Sequence, residues 1–508
     1  VTRVDEMMDM DYAFSDFSAP EPRSRRRVLR ELAGLGAVAV ALGEGTGILP
    51  EGTPQAMAAD FVSRRPPVSA RRFVSPAVEA EIARVSAMIG DPELAWLFAN
   101  CYPNTLDTTV EIAMRGGKPD TFVITGDIPA MWLRDSSAQV WGYLHLARDD
   151  AALQRLYRGL IARHAQCILI DPYANAFGRD PGATRTPLWW ALSDQTQMRP
   201  GVAERKWEVD SLCHVVRLAY GYWRATGDSA PFDAQWHQAA RLIVFTLRTE
   251  QRRDGTSPYR FQRSTPSPTD SLPMGGMGSP TRKVGLIHSM FRPSDDACVF
   301  PFLIPSNLFA VQALRWLAEI AATVLHDGAL AHDAVALADE VAAAVQAWGR
   351  IGDGANAIWA YEVDGFGNTL FMDDANAPSL ASLAYLGCVA RDDPMFRRTE
   401  ARCWSTANPY YFERGGNSGI GGPHVGMNMI WPMSLAVRAQ SSDDPRIVAN
   451  CLAQLKATHA GTGFMHEAFE AGNPAHFTRI WFAWANGLFG EMMIDLAARM
   501  PDLLGAGR

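Results

Sequence analysis

From about residue 70 onward, apolar residues recur at the three-to-four spacing of amphipathic helices through much of the chain, and loops rich in glycine, proline and aromatics separate these stretches. The pattern predicts helices over parts of 75–88, 137–165, 211–226, 233–250, 307–323, 330–348, 378–389, 431–440, 446–457 and 478–499. No series of β-branched strands alternates with them, which argues against a TIM barrel or a doubly wound sheet. Roughly 440 residues carrying about a dozen helices predict an all-α fold, either one α/α toroid whose hairpins surround a central pocket or two smaller helical domains. A Ser/Pro/Gly-rich stretch at 264–281, STPSPTDSLPMGGMGSPT, reads equally as a soft boundary and as a long surface loop.

The composition is that of a folded enzyme. Of 508 residues, 48% are hydrophobic and 20% charged, and 15 Trp, 12 Tyr and 23 Phe supply large core and binding surfaces. With 47 basic against 55 acidic side chains the formal charge is −8, a poor match to nucleic acid. The seven cysteines lie far apart, without CxxC or zinc-knuckle spacing, and read as isolated buried thiols, with one disulfide left open for an exported protein. Residues 1–60 differ from the rest. Ser24, Arg25, Arg26, Arg27, Val28, Leu29 and Arg30 precede a weakly apolar run, the order of a twin-arginine-type export leader followed by a linker. That order predicts a periplasmic or extracellular protein; the alternative is a basic N-terminus of a cytoplasmic one. The run is too short and glycine-rich to predict stable membrane insertion.

Five segments concentrate the chemistry. TFVITGDIPAMWLRDSSAQVWGY places Asp127, Trp132, Arg134 and Asp135 around a turn entering a helix, donors, acceptors and an indole together, which suits a sugar. KWEVDSLCH carries Glu208 and Asp210 two residues apart at a helix start, where Asp210 reads as an N-cap or as a functional acid. HSMFRPSDDACVFPFLIPSNLFA offers Arg292, the adjacent Asp295 and Asp296, and Asn307; an acidic pair without a spaced third ligand predicts hydroxyl recognition or salt bridging and no metal. GGNSGIGGPHVGMNMIWP, with His424, has neither the Walker ending nor the dinucleotide-binding context. GTGFMHEAFEAGNPAHFTRIWFAWANGLFG holds His466, Glu467 and Arg479 but no HExxH metal motif, and Glu467 opposite Asp210 in one pocket would make a two-carboxylate arrangement for glycoside hydrolysis.

Taken together, GDIPAMWLRDSS, WEVDSLCH, MFRPSDDA and GTGFMHEAF resemble glycoside hydrolase family 125, the exo-acting α-1,6-mannosidases, across nearly all of residues 75–498. The resemblance implies a single (α/α)6 barrel over 70–500 with long substrate-binding loops, an inverting mechanism without metal or other cofactor, and α-mannoside oligosaccharides or mannose-containing glycans as partners. It implies Asp210 as general acid and Glu467 as general base, with Asp127, Trp132, Arg134, Asp135, Arg292, Asp295, Asp296, Asn307, His424, His466 and Arg479 as the substrate shell. The alternatives are another inverting (α/α)6 exo-glycosidase such as a glucosidase, or a non-catalytic glycan-binding protein.

Overall fold

The computed structural model describes residues 61–183 and 188–505. The leader predicted within residues 1–60 lies outside the described residues.

Helix starts follow a simple local chemistry. Ser75, Asp91, Asp393 and Asp444 each precede a proline and each accept a hydrogen bond from a first-turn backbone N–H, opening helices Pro76–Ser86, Pro92–Cys101, Pro394–Cys403 and Pro445–Ala457. Asp150, Asp233 and Asp327 cap Ala151–Ile170, Ala234–Thr249 and Gly328–Trp348 in the same way without the proline. Two of these helices, Pro92–Cys101 and Pro394–Cys403, lie beyond the stretches expected from periodicity.

The expected helix at 378–389 is instead a succession of turns. Ser379 and Ser382 bind each other's backbone N–H at 2.7 and 3.2 Å, and the Asp373 carboxylate accepts from the amides of Leu380 and Ala381 at 2.8 and 3.0 Å. Side chains thus take the donors that a helix would need. The segment still packs as a helix would, with the Ala377 carbonyl 3.2 Å from His214 and the Tyr385 hydroxyl donating to Glu491 at 3.0 Å.

Consecutive helices pair as hairpins: Ile304–Thr323 with Gly328–Trp348, and Pro432–Ser441 with Pro445–Ala457. The more buried helices contact one another in series. Val209–Thr226 lies between Leu133–Gln139 and Ile304–Thr323, and Ala483–Arg499 lies between Leu133–Gln139 and Pro432–Ser441. One hydrophobic cluster runs from Val78 to Leu504, with members on both sides of 264–281. The all-α expectation needs correction, because seventeen short strands form seven small antiparallel sheets among the described residues. The longest pair, Val110–Arg115 with Lys118–Val123, turns through Gly116 and Gly117, both at positive φ. Its Thr121 packs on the Ala151–Ile170 helix at Gly159, where a Cβ would stand 2.3 Å from the threonine hydroxyl.

These small sheets matter because they deliver the loops. Met131–Trp132 pairs with Ala176–Phe177, which pairs with Val202–Glu204, so that Trp132 runs straight into the helix carrying Arg134 and Asp135. Met429–Ile430, Phe469–Glu470 and Asn473–Phe477 form a second sheet that brings the glycine-rich loop against the Glu467 loop. All seven cysteines are free, six of them buried. Among the described residues no helix is long and apolar enough to cross a membrane.

Candidate active site

Where these loop-bearing elements meet, a pocket opens, lined by residues of four of the five chemical segments. Of the candidates named from the sequence, Trp132, Arg134, Asp135, Asp295, His424, Glu467 and Arg479 reach its wall. Three of them are carboxylates: Asp135, Asp295 and Glu467.

Arg134 organises one side. Its guanidinium is 97% buried and lies 2.6 Å from Glu208, 3.0 Å from Asp210, 3.6 Å from Asp295 and 3.7 Å from Asp135. One cation among four carboxyl groups leaves an excess of negative charge in a dry environment, and protonation relieves it. Burial pushes Glu208 well above the usual carboxylate range, with Asp295 and Asp210 adding to the effect while Arg134 opposes it. Burial raises Asp210 as well, again against Arg134. Asn175 completes this side, its amide nitrogen 3.2 Å from Glu204, 3.4 Å from Glu208 and 3.5 Å from Asp295.

Arg479 organises the other side. It pairs with Asp127 at the surface, stands 3.4 Å from Glu467 and donates to the Thr125 carbonyl at 3.3 Å. The Thr125 hydroxyl in turn donates to Asp135 at 2.5 Å. Asp295 and Glu467 therefore sit at the two ends of one chain of contacts, Asp295–Arg134–Asp135–Thr125–Arg479–Glu467, that runs along the pocket wall. Each has a guanidinium close by, Arg479 at 3.4 Å from Glu467 and Arg134 at 3.6 Å from Asp295, but Arg134 is shared with Glu208, Asp210 and Asp135 as well.

Six predicted residues are placed elsewhere. Asp210 is wholly buried; Arg134 binds one oxygen and the other hydrogen-bonds to no other residue, but the side chain does not line the pocket. Arg292 points away into an ion pair with Glu362 at 2.6 Å, whose other oxygen accepts from the amides of Val299 and Phe300. Asn307 is saturated by backbone: its amide donates to Ile287 and Leu303 carbonyls at 3.0 and 2.9 Å, and its oxygen accepts from Ile287 N–H at 2.8 Å. His466 stacks on Phe477 with centroids 3.9 Å apart and donates from Nδ1 to the Arg479 carbonyl at 2.8 Å. Burial depresses its pKa, so the ring is neutral and serves to hold Arg479 in place. Asp296 is buried behind Asp295, about 4.0 Å from His424. Asp127 lies outside the wall but acts on it through Arg479.

Sequence reasoning passed over Ser294, Asn376 and Phe482, all of which line the pocket. Asp374 links the first two, accepting from Ser294 at 2.6 Å and from the Asn376 amide at 3.1 Å. Ser294 stands beside the acidic pair that drew attention, while Asn376 lies two residues before the stretch 378–389 that periodicity makes helical. Among the described residues no group of three or more His, Cys, Asp or Glu side chains is arranged to hold a metal ion.

Residues 91–494 match the family described as metal-independent alpha-mannosidase (GH125). The chain is 41% identical over 465 residues, 87% of its own length and 89% of the relative's, to the meiotically up-regulated gene 157 protein of Schizosaccharomyces pombe. It is also similar to a solved Streptococcus pneumoniae structure from a family of metal-independent alpha mannosidases, a non-productive substrate complex with alpha-1,6-mannobiose. There the identity is 38% and the TM-score 0.79, covering 84% of this chain and 99% of that one. A carboxylate-lined pocket and a family match over most of its length lead to one conclusion: the chain belongs to glycoside hydrolase family 125 and is an α-mannosidase.

Proposed function

We propose that this enzyme removes the non-reducing terminal mannose of α-1,6-linked mannosides by single displacement with inversion, with Asp295 as general acid and Glu467 as general base. The observation that carries the assignment is the contrast between two pocket carboxylates. Glu467 is held beside the Arg479 guanidinium, which favours the ionised form that a base needs. Asp295 shares the single Arg134 guanidinium with Glu208, Asp210 and Asp135, so four carboxyl groups compete for one cation, an arrangement that suits a proton donor. Asp135, held by Thr125 and Arg134, is an acceptor for sugar hydroxyls, and Trp132 and Trp484 add aromatic surface to the pocket wall. In the reaction Asp295 gives its proton to the glycosidic oxygen as that bond breaks. Glu467 takes a proton from the water that attacks the anomeric carbon from the opposite face.

The complex of the pneumococcal relative with alpha-1,6-mannobiose supports the linkage. The serial contact of the buried helices, with the 377–385 segment touching both Val209–Thr226 and Ala483–Arg499, supports an (α/α)6 barrel as the frame. Asp210 as acid is the second reading, favoured by its raised pKa and its incompletely bonded carboxyl.

A panel of α-1,2-, α-1,3- and α-1,6-mannobiose with the corresponding glucobiose, assayed with and without a chelator, tests the substrate. We expect turnover of the α-1,6-mannoside at least about 100-fold above the others, undiminished by chelation. Preference for the glucoside would favour the alternative glycosidase, and binding without turnover would favour a lectin-like role.

A further inference from the structure

The turn that carries Asp295 is held from behind by a buried lysine. Phe291 and Ala297 bridge the ends of the turn, Arg292 N–H donates to the Asp296 carbonyl at 2.8 Å, and Asp295 N–H donates to the Arg292 carbonyl at 2.9 Å. Asp295 itself sits at φ +67°, in the left-handed region that non-glycine residues occupy only at a cost. Its carbonyl oxygen receives the Lys206 ammonium at 2.7 Å.

Lys206 is 1% exposed, an unusual place for an ammonium group. Its other polar partner is Asp270 at 3.4 Å, and its charge lies 5.0 Å from the Phe291 ring. Its own backbone N–H is fixed by the Asn175 side chain at 3.0 Å. Asp270 belongs to the Ser/Pro/Gly-rich stretch 264–281, and its neighbour Thr269 accepts from Ala297 N–H at 2.7 Å. That stretch is thus an outer brace against the Asp295 turn.

We propose that Lys206, balanced by Asp270, is a positioning residue: by clamping the Asp295 carbonyl it keeps the left-handed turn and aims the Asp295 carboxyl into the pocket. The inference rests on Asp295 as the proton donor. Lys206→Met keeps the length and apolar stem beside Phe291 and removes the ammonium. The double variant Lys206→Met/Asp270→Asn removes both charges together, so that no carboxylate is left facing an apolar replacement.

The readout is the ratio of kcat on α-1,6-mannobiose, whose leaving group needs a proton, to kcat on 2,4-dinitrophenyl α-mannoside, whose leaving group does not. Taken on one sample, this ratio is independent of the fraction of enzyme correctly folded. We expect Lys206→Met, alone and with Asp270→Asn, to lower the ratio about 30-fold while KM for mannobiose changes less than about threefold. In an Asp295→Asn background Lys206→Met should lower the ratio no further, because the carboxyl through which it acts is gone. A ratio unchanged by Lys206→Met, while Asp295→Asn lowers it, overturns the positioning role and leaves the acid assignment standing. A ratio unchanged by Asp295→Asn overturns the acid assignment and the inference with it.

Discussion

Replacing Asp295 by Asn slows hydrolysis of α-1,6-mannobiose by about 10³-fold, yet slows 2,4-dinitrophenyl α-mannoside by only about tenfold. Sugar alkoxide is a poor leaving group and departs only as it is protonated, whereas dinitrophenolate departs unaided. Loss of the donor is therefore felt in proportion to the basicity of the leaving group. The substitution is also mild for the fold, since Asn has nearly the shape of Asp and tolerates the left-handed φ of +67° found there. Asp210→Asn serves as the comparison. It leaves the pocket wall intact but removes a carboxyl bonded to Arg134 at 3.0 Å, so both substrates should slow to a similar degree. Steady-state rates on the two substrates check this, and leaving-group dependence at Asp210 instead of Asp295 would transfer the acid role to Asp210.

Replacing Glu467 by Gln costs about 10⁴-fold on both substrates, with no dependence on the leaving group. The base acts on the attacking water, and that water is required whichever group departs. Gln retains the size of Glu and hydrogen-bonds well enough that titration calorimetry should still register mannobiose binding. Activity within about tenfold of the parent would remove Glu467 from the reaction.

Much of this site is legible in the sequence because several of its residues are adjacent along the chain. Trp132, Arg134 and Asp135 fall within four positions at the mouth of one helix, and the strand pairing of Met131–Trp132 keeps them together in space. The helical frame is legible for a similar reason, since the amphipathic period persists through Val209–Thr226 and Ile304–Thr323. What periodicity misses, local chemistry holds: the Asp91-Pro92 and Asp393-Pro394 pairs mark the two helices it overlooks, and Ser379 and Ser382 mark the stretch it wrongly makes helical.

The direction of a side chain is harder to read. Asp210 reads as a functional acid at a helix start and Asp295 as half of an acidic pair for hydroxyls or salt bridges, and only the three-dimensional arrangement puts the first behind Arg134 and the second at the pocket wall. Arg292 and Asn307 mislead because polar residues inside a motif of binding groups look like binding groups. Their partners, Glu362 and the backbone of Ile287, lie 70 and 20 residues away.

The most direct test of the account is the configuration of mannose at the moment of release. Proton NMR of α-1,6-mannobiose with the purified enzyme resolves the anomeric signals before mutarotation mixes them. Displacement by a Glu467-activated water with Asp295 as acid predicts β-mannose first; α-mannose first would contradict it.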